Sequence, residues 1–186
     1  MEYFDVVDEY GEPTGEVVER TIAHRDGIRH RTSHVWIVRM RDGRPQILLQ
    51  KRCAQKDSYP GCYDISSAGH IPAGDEYVGS ALRELREELG VEAEGSQLIP
   101  CGMRTSGSDH VFHGKEFHDR QISKVFILWL DREEDAFSPQ PEEIESVRWM
   151  DFEECQEAVR HKTIPNCIYP EELDMIEPFL HPEKKD

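Results

Sequence analysis

Three glutamates, Glu84, Glu87 and Glu88, stand at i, i+3 and i+4 in the run Ala81-Leu-Arg-Glu-Leu-Arg-Glu-Glu-Leu-Gly90. An α-helix turns about 100° per residue, so this spacing gathers all three carboxylates within an arc of roughly 100°. Val78, Leu82, Leu85 and Leu89 fall on a separate arc of about 60°, which gives the helix an apolar face for a core. Like charges at this spacing repel unless something positive sits among them. A hard divalent cation with oxygen ligands is the natural guest. Such a cation neutralises phosphate oxygens and lowers the pKa of a bound water, which is most of what phosphoryl transfer requires. The competing reading is a solvated acidic face on an ordinary helix.

The surrounding elements must hold that helix in place. It is predicted from Asp75 or Glu76 to Leu89 and ends at Gly90 as a C-terminal cap. A short strand from Asp64 to Ala68 leads into it, and Gly69 and Gly74 let the connecting backbone bend close to a bound cation. Strands are predicted over residues 3–8 and 15–23, on either side of the turn 9–15. Residues 34–40 and 46–51 read as a hairpin around Arg41-Asp-Gly-Arg-Pro45, and Asp57-Ser-Tyr-Pro-Gly61 as a turn. Further strands are expected within 94–104, over the apolar run 124–130 and over 146–150. Helices are predicted over 151–161, N-capped by Asp151, and over 170–180, with a loose tail at 181–186. Hairpins interleaved with helices imply an α/β fold, a mixed sheet between helical layers, in one domain over residues 1–186.

Composition narrows the partners. The 22 basic and 38 acidic residues leave a net charge of −16, a surface that repels nucleic-acid backbones and anionic membranes. A small phosphorylated substrate stays compatible, because cations recruit it locally. The five cysteines are scattered, without the close spacing of a zinc or redox motif, and read as free thiols of a reducing cytoplasm. The start Met1-Glu-Tyr-Phe-Asp5 has neither the basic flank nor the apolar stretch of a signal peptide. No stretch approaches the roughly 18 apolar residues of a membrane span.

The segment 69–91 resembles the Nudix box of the Nudix hydrolases, with Gly69, Arg83, Glu84, Leu85, Glu87, Glu88, Gly90 and Val91 as the matching positions. One position departs: Asp75 stands where that family has glutamate. The resemblance implies the Nudix α/β/α sandwich and a pyrophosphohydrolase using Mg²⁺ or Mn²⁺. Glu84, Glu87 and Glu88 would hold the cation, and Glu87 or Glu88 would double as general base. Arg83 would anchor the loop within the catalytic set. Many members form homodimers, although the sequence gives no oligomeric state.

Outside the box, His24-Arg-Asp-Gly-Ile-Arg-His30, Gln50-Lys-Arg52 with Lys56, Pro60-Gly-Cys-Tyr-Asp64 and Ala68-Gly-His70 resemble the branch related to isopentenyl diphosphate isomerase. That chemistry needs a cysteine and a glutamate on opposite faces of an alkene. Ala68 occupies the cysteine's position here and Gln121 the glutamate's, and neither carries a proton. The sequence therefore reads as isomerase-like in lineage and hydrolytic in activity, on a nucleoside diphosphate or another diphosphate-linked metabolite. An isomerase-like enzyme or isoprenoid diphosphate hydrolase is the alternative, and a non-catalytic nucleotide sensor the third reading.

By the same resemblance, Arg52, Lys56 and Gly69 are candidates for substrate contact, with Arg20 beside them. His24, His30 and His70, or His34 in their place, are candidates for a second metal site suited to Zn²⁺ or Mn²⁺. Glu116, Asp119 and Glu142 are candidates for an additional carboxylate. The stretch Ser106–Asp119 reads either as a lid, with Phe112 or Phe117 stacking on a base, or as a plain hairpin.

Overall fold

The computed structural model describes residues 1–56, 58–112 and 114–180. Asp57 of the predicted turn, His113 and the tail at 181–186 lie outside the described residues. The chain enters through a hairpin of β1 (Tyr3–Val7) and β2 (Pro13–Glu19). The strand predicted to reach residue 23 stops at Glu19 and turns into α1 (Arg20–Asp26). The helix allows Ala23 and His24 to point inward together, Ala23 against Phe4 and Val18. Next come β3 (His30–Arg41) and β4 (Arg44–Arg52), joined by Asp42 and Gly43, whose φ angles of 49° and 75° suit a two-residue hairpin turn.

The chain continues through β5 (Tyr63–Asp64), β6 (Ser67–His70), α2 (Tyr77–Leu89), β7 (Leu98–Phe112), β8 (Lys115–Trp129), β9 (Ile144–Asp151), α3 (Phe152–Arg160) and α4 (Pro170–Ile176). One sheet takes the order β5-β4-β3-β8-β7, with β6 also on β3 and β9 on β4. β3 and β8 pair in parallel from His30↔Gln121 to Val38↔Trp129, and the other pairings are antiparallel, so the sheet is mixed.

Strand alternation sends side chains to two cores. Trp36, Val38, Ile47, Leu49, Val125 and Ile127 pack under Phe152, Cys155 and Val159 of α3 and Leu173 and Ile176 of α4. Val35, Ile37, Leu48, Phe126 and Leu128 pack against Ala81, Leu85 and Leu89 of α2. Helices on both faces make the expected α/β/α sandwich. Burying each such Leu or Ile contributes about 1.5–3 kcal/mol, which fixes α2 firmly against the sheet. No helix among the described residues is long and apolar enough to cross a membrane.

Two local expectations change. Val78 is 37% exposed, so the core face of α2 is Ala81, Leu85 and Leu89, and the buried Glu88 joins it. Asp151 precedes α3 but makes no side-chain cap; its carboxylate instead accepts from Gln46 Nε2 at 2.8 Å. Of the two readings of the stretch 106–119, the plain hairpin is the one the described residues adopt, with β7 and β8 in register from Ser106↔Gln121 to Phe112↔Lys115.

Candidate metal centres

The carboxylate ridge is set by β6 and α2. Along β6, Ser67 and Gly69 turn toward α2, while Ala68 and His70 turn to the opposite face. Ser67 Oγ donates to Glu88 Oε2 at 2.8 Å. Gly69 presses on Glu84 so closely that an added Cβ would lie 2.2 Å from Glu84 Cδ. Arg83 ties the connecting loop to the ridge. Its Nη2 donates to the His70 carbonyl at 3.2 Å and lies 2.8 Å from Glu84 Oε1, and its Nη1 lies 3.3 Å from Glu87 Oε2.

Asp75 forms no ion pair with Arg83 among the described residues. Its carbonyl accepts from Arg31 Nη2 at 2.9 Å. Asp5, which the sequence did not single out, takes over the loop: it pairs with Arg31 at 2.8 Å and accepts from the Gly74 amide at 2.9 Å.

The three glutamates are not equivalent. Glu88 is 8% exposed, and burial, reinforced by the Glu84 charge, pushes its carboxyl up to about 8 against the pull of Ser67 and Lys56. Burial also raises Glu84, with Arg83 opposing. Glu87 remains exposed at the rim. A buried and a partly buried carboxyl, both raised by burial, are a fitting cradle for a hard cation.

The substrate candidates Arg52 and Lys56 lie at the end of β4 and just beyond it, and both have protein partners. Arg52 donates to the Ser58 carbonyl at 2.9 Å and pairs with Asp64 at 3.2 Å. Lys56 pairs with Glu143, and burial followed by the Arg52 charge lowers its pKa. Its charge is felt by Glu88. Arg20 pairs with Glu2 at 2.9 Å and is half-exposed.

A second cluster lies on the other face of β6. One ligand atom from each of His24, His30 and His70 falls within 4.8 Å of the other two. Asp119 Oδ1 is 3.9 Å from Nε2 of both His24 and His30. All three Nε2 atoms and Asp119 Oδ1 are buried without a hydrogen-bond partner. Burial is the largest cause that lowers all three imidazoles, His24 to about 3, so they stay neutral and keep lone pairs.

The rings are held from behind. His30 Nδ1 lies 2.8 Å from the Ile28 carbonyl, so donation there leaves Nε2 as the inward lone pair. Phe4 stacks on His30 and His70 at 4.9 and 4.7 Å, and Phe117 on His24 at 4.5 Å. Three imidazoles and one carboxylate make a donor set suited to a first-row transition ion. Four orphaned buried polar atoms are otherwise costly. His34 stands outside this cluster, bonded to Glu172 at 2.7 Å. Of the three candidate carboxylates, Asp119 reaches it, whereas Glu116 lies out in solvent beside His118 and Glu142 supplies a carbonyl to Cys53.

The description NUDIX domain matches residues 29–170. Nudix hydrolase 3 of Arabidopsis thaliana is 43% identical over 156 residues, which is 82% of this chain but 20% of the plant protein. An isopentenyl-diphosphate Delta-isomerase of Clavibacter michiganensis is 30% identical over 181 residues, covering 96% of this chain and 85% of that protein. A crystal structure from Deinococcus radiodurans superposes with a TM-score of 0.68 at 19% identity over 93% of this chain and 98% of the other, a likeness of fold.

Proposed function

We propose, from the premise that this chain belongs to the Nudix family, that it hydrolyses a phosphoanhydride in a nucleoside diphosphate or another diphosphate-linked metabolite. The observation that carries this reading is the ridge itself: Glu88 buried and Glu84 partly buried against β6, with Glu87 at the rim. Glu84, Glu87 and Glu88 would hold Mg²⁺ or Mn²⁺, which when bound neutralises phosphate oxygens and lowers the pKa of water. Glu87 is the member open to solvent, and it accepts the proton of the attacking water. Glu88 is too enclosed for that task and serves as a ligand. Arg83 keeps the ridge and the His70 carbonyl in register, and Gly69 allows the backbone to approach. Lys56 and Arg52 steady the diphosphate from the end of β4.

His24, His30, His70 and Asp119 would hold a separate Zn²⁺ or Mn²⁺, and elemental analysis of purified protein tests this. Ala68 and Gln121 support hydrolysis over the isomerase reading, since neither moves a proton. The unpaired cysteines support a reducing compartment such as the cytoplasm.

The deciding experiment is a Mg²⁺-dependent screen of nucleoside di- and triphosphates, nucleotide sugars, dinucleotides and isopentenyl diphosphate, with Glu87→Gln as control. Release of phosphate or a nucleoside monophosphate that the variant loses is the expected result. Undiminished turnover in Glu87→Gln, or isomerised isopentenyl diphosphate, would overturn it.

A further inference from the structure

Arg52 ends β4 and Lys56 lies in the turn that follows, so the two cations given to the diphosphate depend on how that turn is held. Part of the support is local. Arg52 Nη2 donates to the Ser58 carbonyl at 2.9 Å and to Ser58 Oγ at 3.1 Å. The Gly61 amide donates to the Arg52 carbonyl at 3.1 Å, and the Cys62 amide to the Tyr59 carbonyl at 3.3 Å.

Tyr59 supplies a long-range support. Its hydroxyl lies 2.5 Å from His110 Nε2, 51 positions along the chain. Its ring meets His110 edge-on at 5.3 Å and Phe112 at 5.2 Å, and those two rings are 5.4 Å apart. Burial pushes the Tyr59 hydroxyl up to about 12, so it keeps its proton and donates to the imidazole. His110 and Phe112 belong to the arm of β7 and β8. β3 begins at His30, opposite Gln121, and beyond that point the arm runs on to Phe112↔Lys115. α1 backs it, with Gly27 so close that an added Cβ would lie 3.3 Å from His118 Cβ. The arm is thus a firm anchor for the turn.

The backbone of Tyr59 has a φ of 48°, in the left-handed region that a side chain with a Cβ adopts at a cost. A turn that only reversed the chain would be better served by glycine or asparagine there. Strain of this kind persists where surrounding contacts over-determine it, and here those contacts are the ring packing and the bond to His110.

We propose that Tyr59 is a positioning residue: by bonding to His110 it fixes the turn that holds Arg52 and Lys56, and so sets where a diphosphate meets the carboxylate ridge. Tyr59 itself touches no substrate. The inference deepens the hydrolase reading and rests on it for the role of the two cations, but its test needs no turnover.

The probe is methylenediphosphonate, a diphosphate analogue that cannot be hydrolysed, bound with Mg²⁺ to the full chain and followed by calorimetry. Tyr59→Phe, His110→Leu, the double variant and His110→Gln are compared. Manganese affinity without the probe and the exchange of the Gly61 and Cys62 amides by NMR are read alongside. Tyr59→Phe and His110→Leu should each weaken the probe about 2- to 12-fold, the worth of one neutral hydrogen bond, and speed the exchange of both amides. The double variant should lose no more than either single one, because they break the same bond. His110→Gln offers an oxygen acceptor and should restore most of the affinity. Manganese affinity should stay native throughout. Native probe affinity in both single variants, losses that add in the double variant, an equal loss of manganese affinity, or a wild-type chain that does not bind the probe would overturn the proposal. The expected pattern in a chain that turns over no diphosphate would count against the hydrolase reading alone.

Discussion

Replacing Gly69 by alanine isolates the geometry of the carboxylate ridge. The new Cβ would lie 2.2 Å from Glu84 Cδ and 2.3 Å from both Cγ and Oε1. Ordinary carbon contacts need about 3.5 Å, so Glu84 must retreat by on the order of 1 Å. It has little room, since its side chain is 16% exposed and Arg83 holds it at 2.8 Å. Overpacking of this kind costs roughly 1–3 kcal/mol. If that strain falls on the cation-bound state, affinity drops about 5- to 150-fold. Manganese titration followed by paramagnetic resonance reads the affinity, and a thermal melt reads the fold, which should lose about 2–4 °C per kcal/mol. Gly79, exposed in the first turn of α2 with nothing within 4 Å of its added Cβ, gives the opposite sign. Gly79→Ala should stabilise by up to about 1 kcal/mol and leave manganese binding unchanged. A Gly69→Ala protein with native manganese affinity and native turnover would refute the reasoning.

The Glu88 carboxyl sits at about 8 in the folded chain against an ordinary value of 4.5. The folded state therefore holds the extra proton between those values, and cation-free stability falls as pH rises through that window. Glu88→Gln should lift the melting temperature in EDTA more at pH 8 than at pH 5 while abolishing turnover; equal shifts at both would count against it. Glu172 is depressed to about 2 by His34 and Arg104 despite burial, so its stabilisation is full above 4.5 and fades as pH falls toward 2. Glu172→Gln at pH 7 should cost about 3–5 kcal/mol by denaturant titration, because Arg104 is left as an uncompensated buried charge. Lys56→Ala should raise KM for the diphosphate with manganese binding intact; an unchanged KM would remove it from the substrate site. His70→Ala should lower the zinc or manganese content of purified protein without altering cation affinity at the carboxylates.

The ridge was legible because its residues are local: one helix, one spacing and a terminal Gly90 with φ of 65°. Which carboxylate is buried was not, since Glu88 goes inside through Ser67, a residue 21 positions away. The three histidines were visible as candidates, but the choice of Asp119 over Glu116 and Glu142 depends on the pairing of β3 with β8. Glu172 carried no local signal at all, as its partner His34 lies 138 positions away. The helix α1 was hidden because residues 20–23 show no pattern that separates strand from helix, and its inward face is meaningful only once Phe4 is in place.

Phe4 is fully enclosed, its ring lies flat on His30 and His70, and its strand is pinned by the bond from the Ala73 amide to the Tyr3 carbonyl at 2.8 Å. The first strand thus acts as a stopper over the histidine pocket. An ion held by the histidines would leave more readily when the amino-terminal ribbon lifts, so local opening would add to ligand strength in setting its release. A chelator would strip the open glutamate rim quickly and empty the more enclosed histidine pocket slowly. The rate of that second loss would measure how often the ribbon lifts.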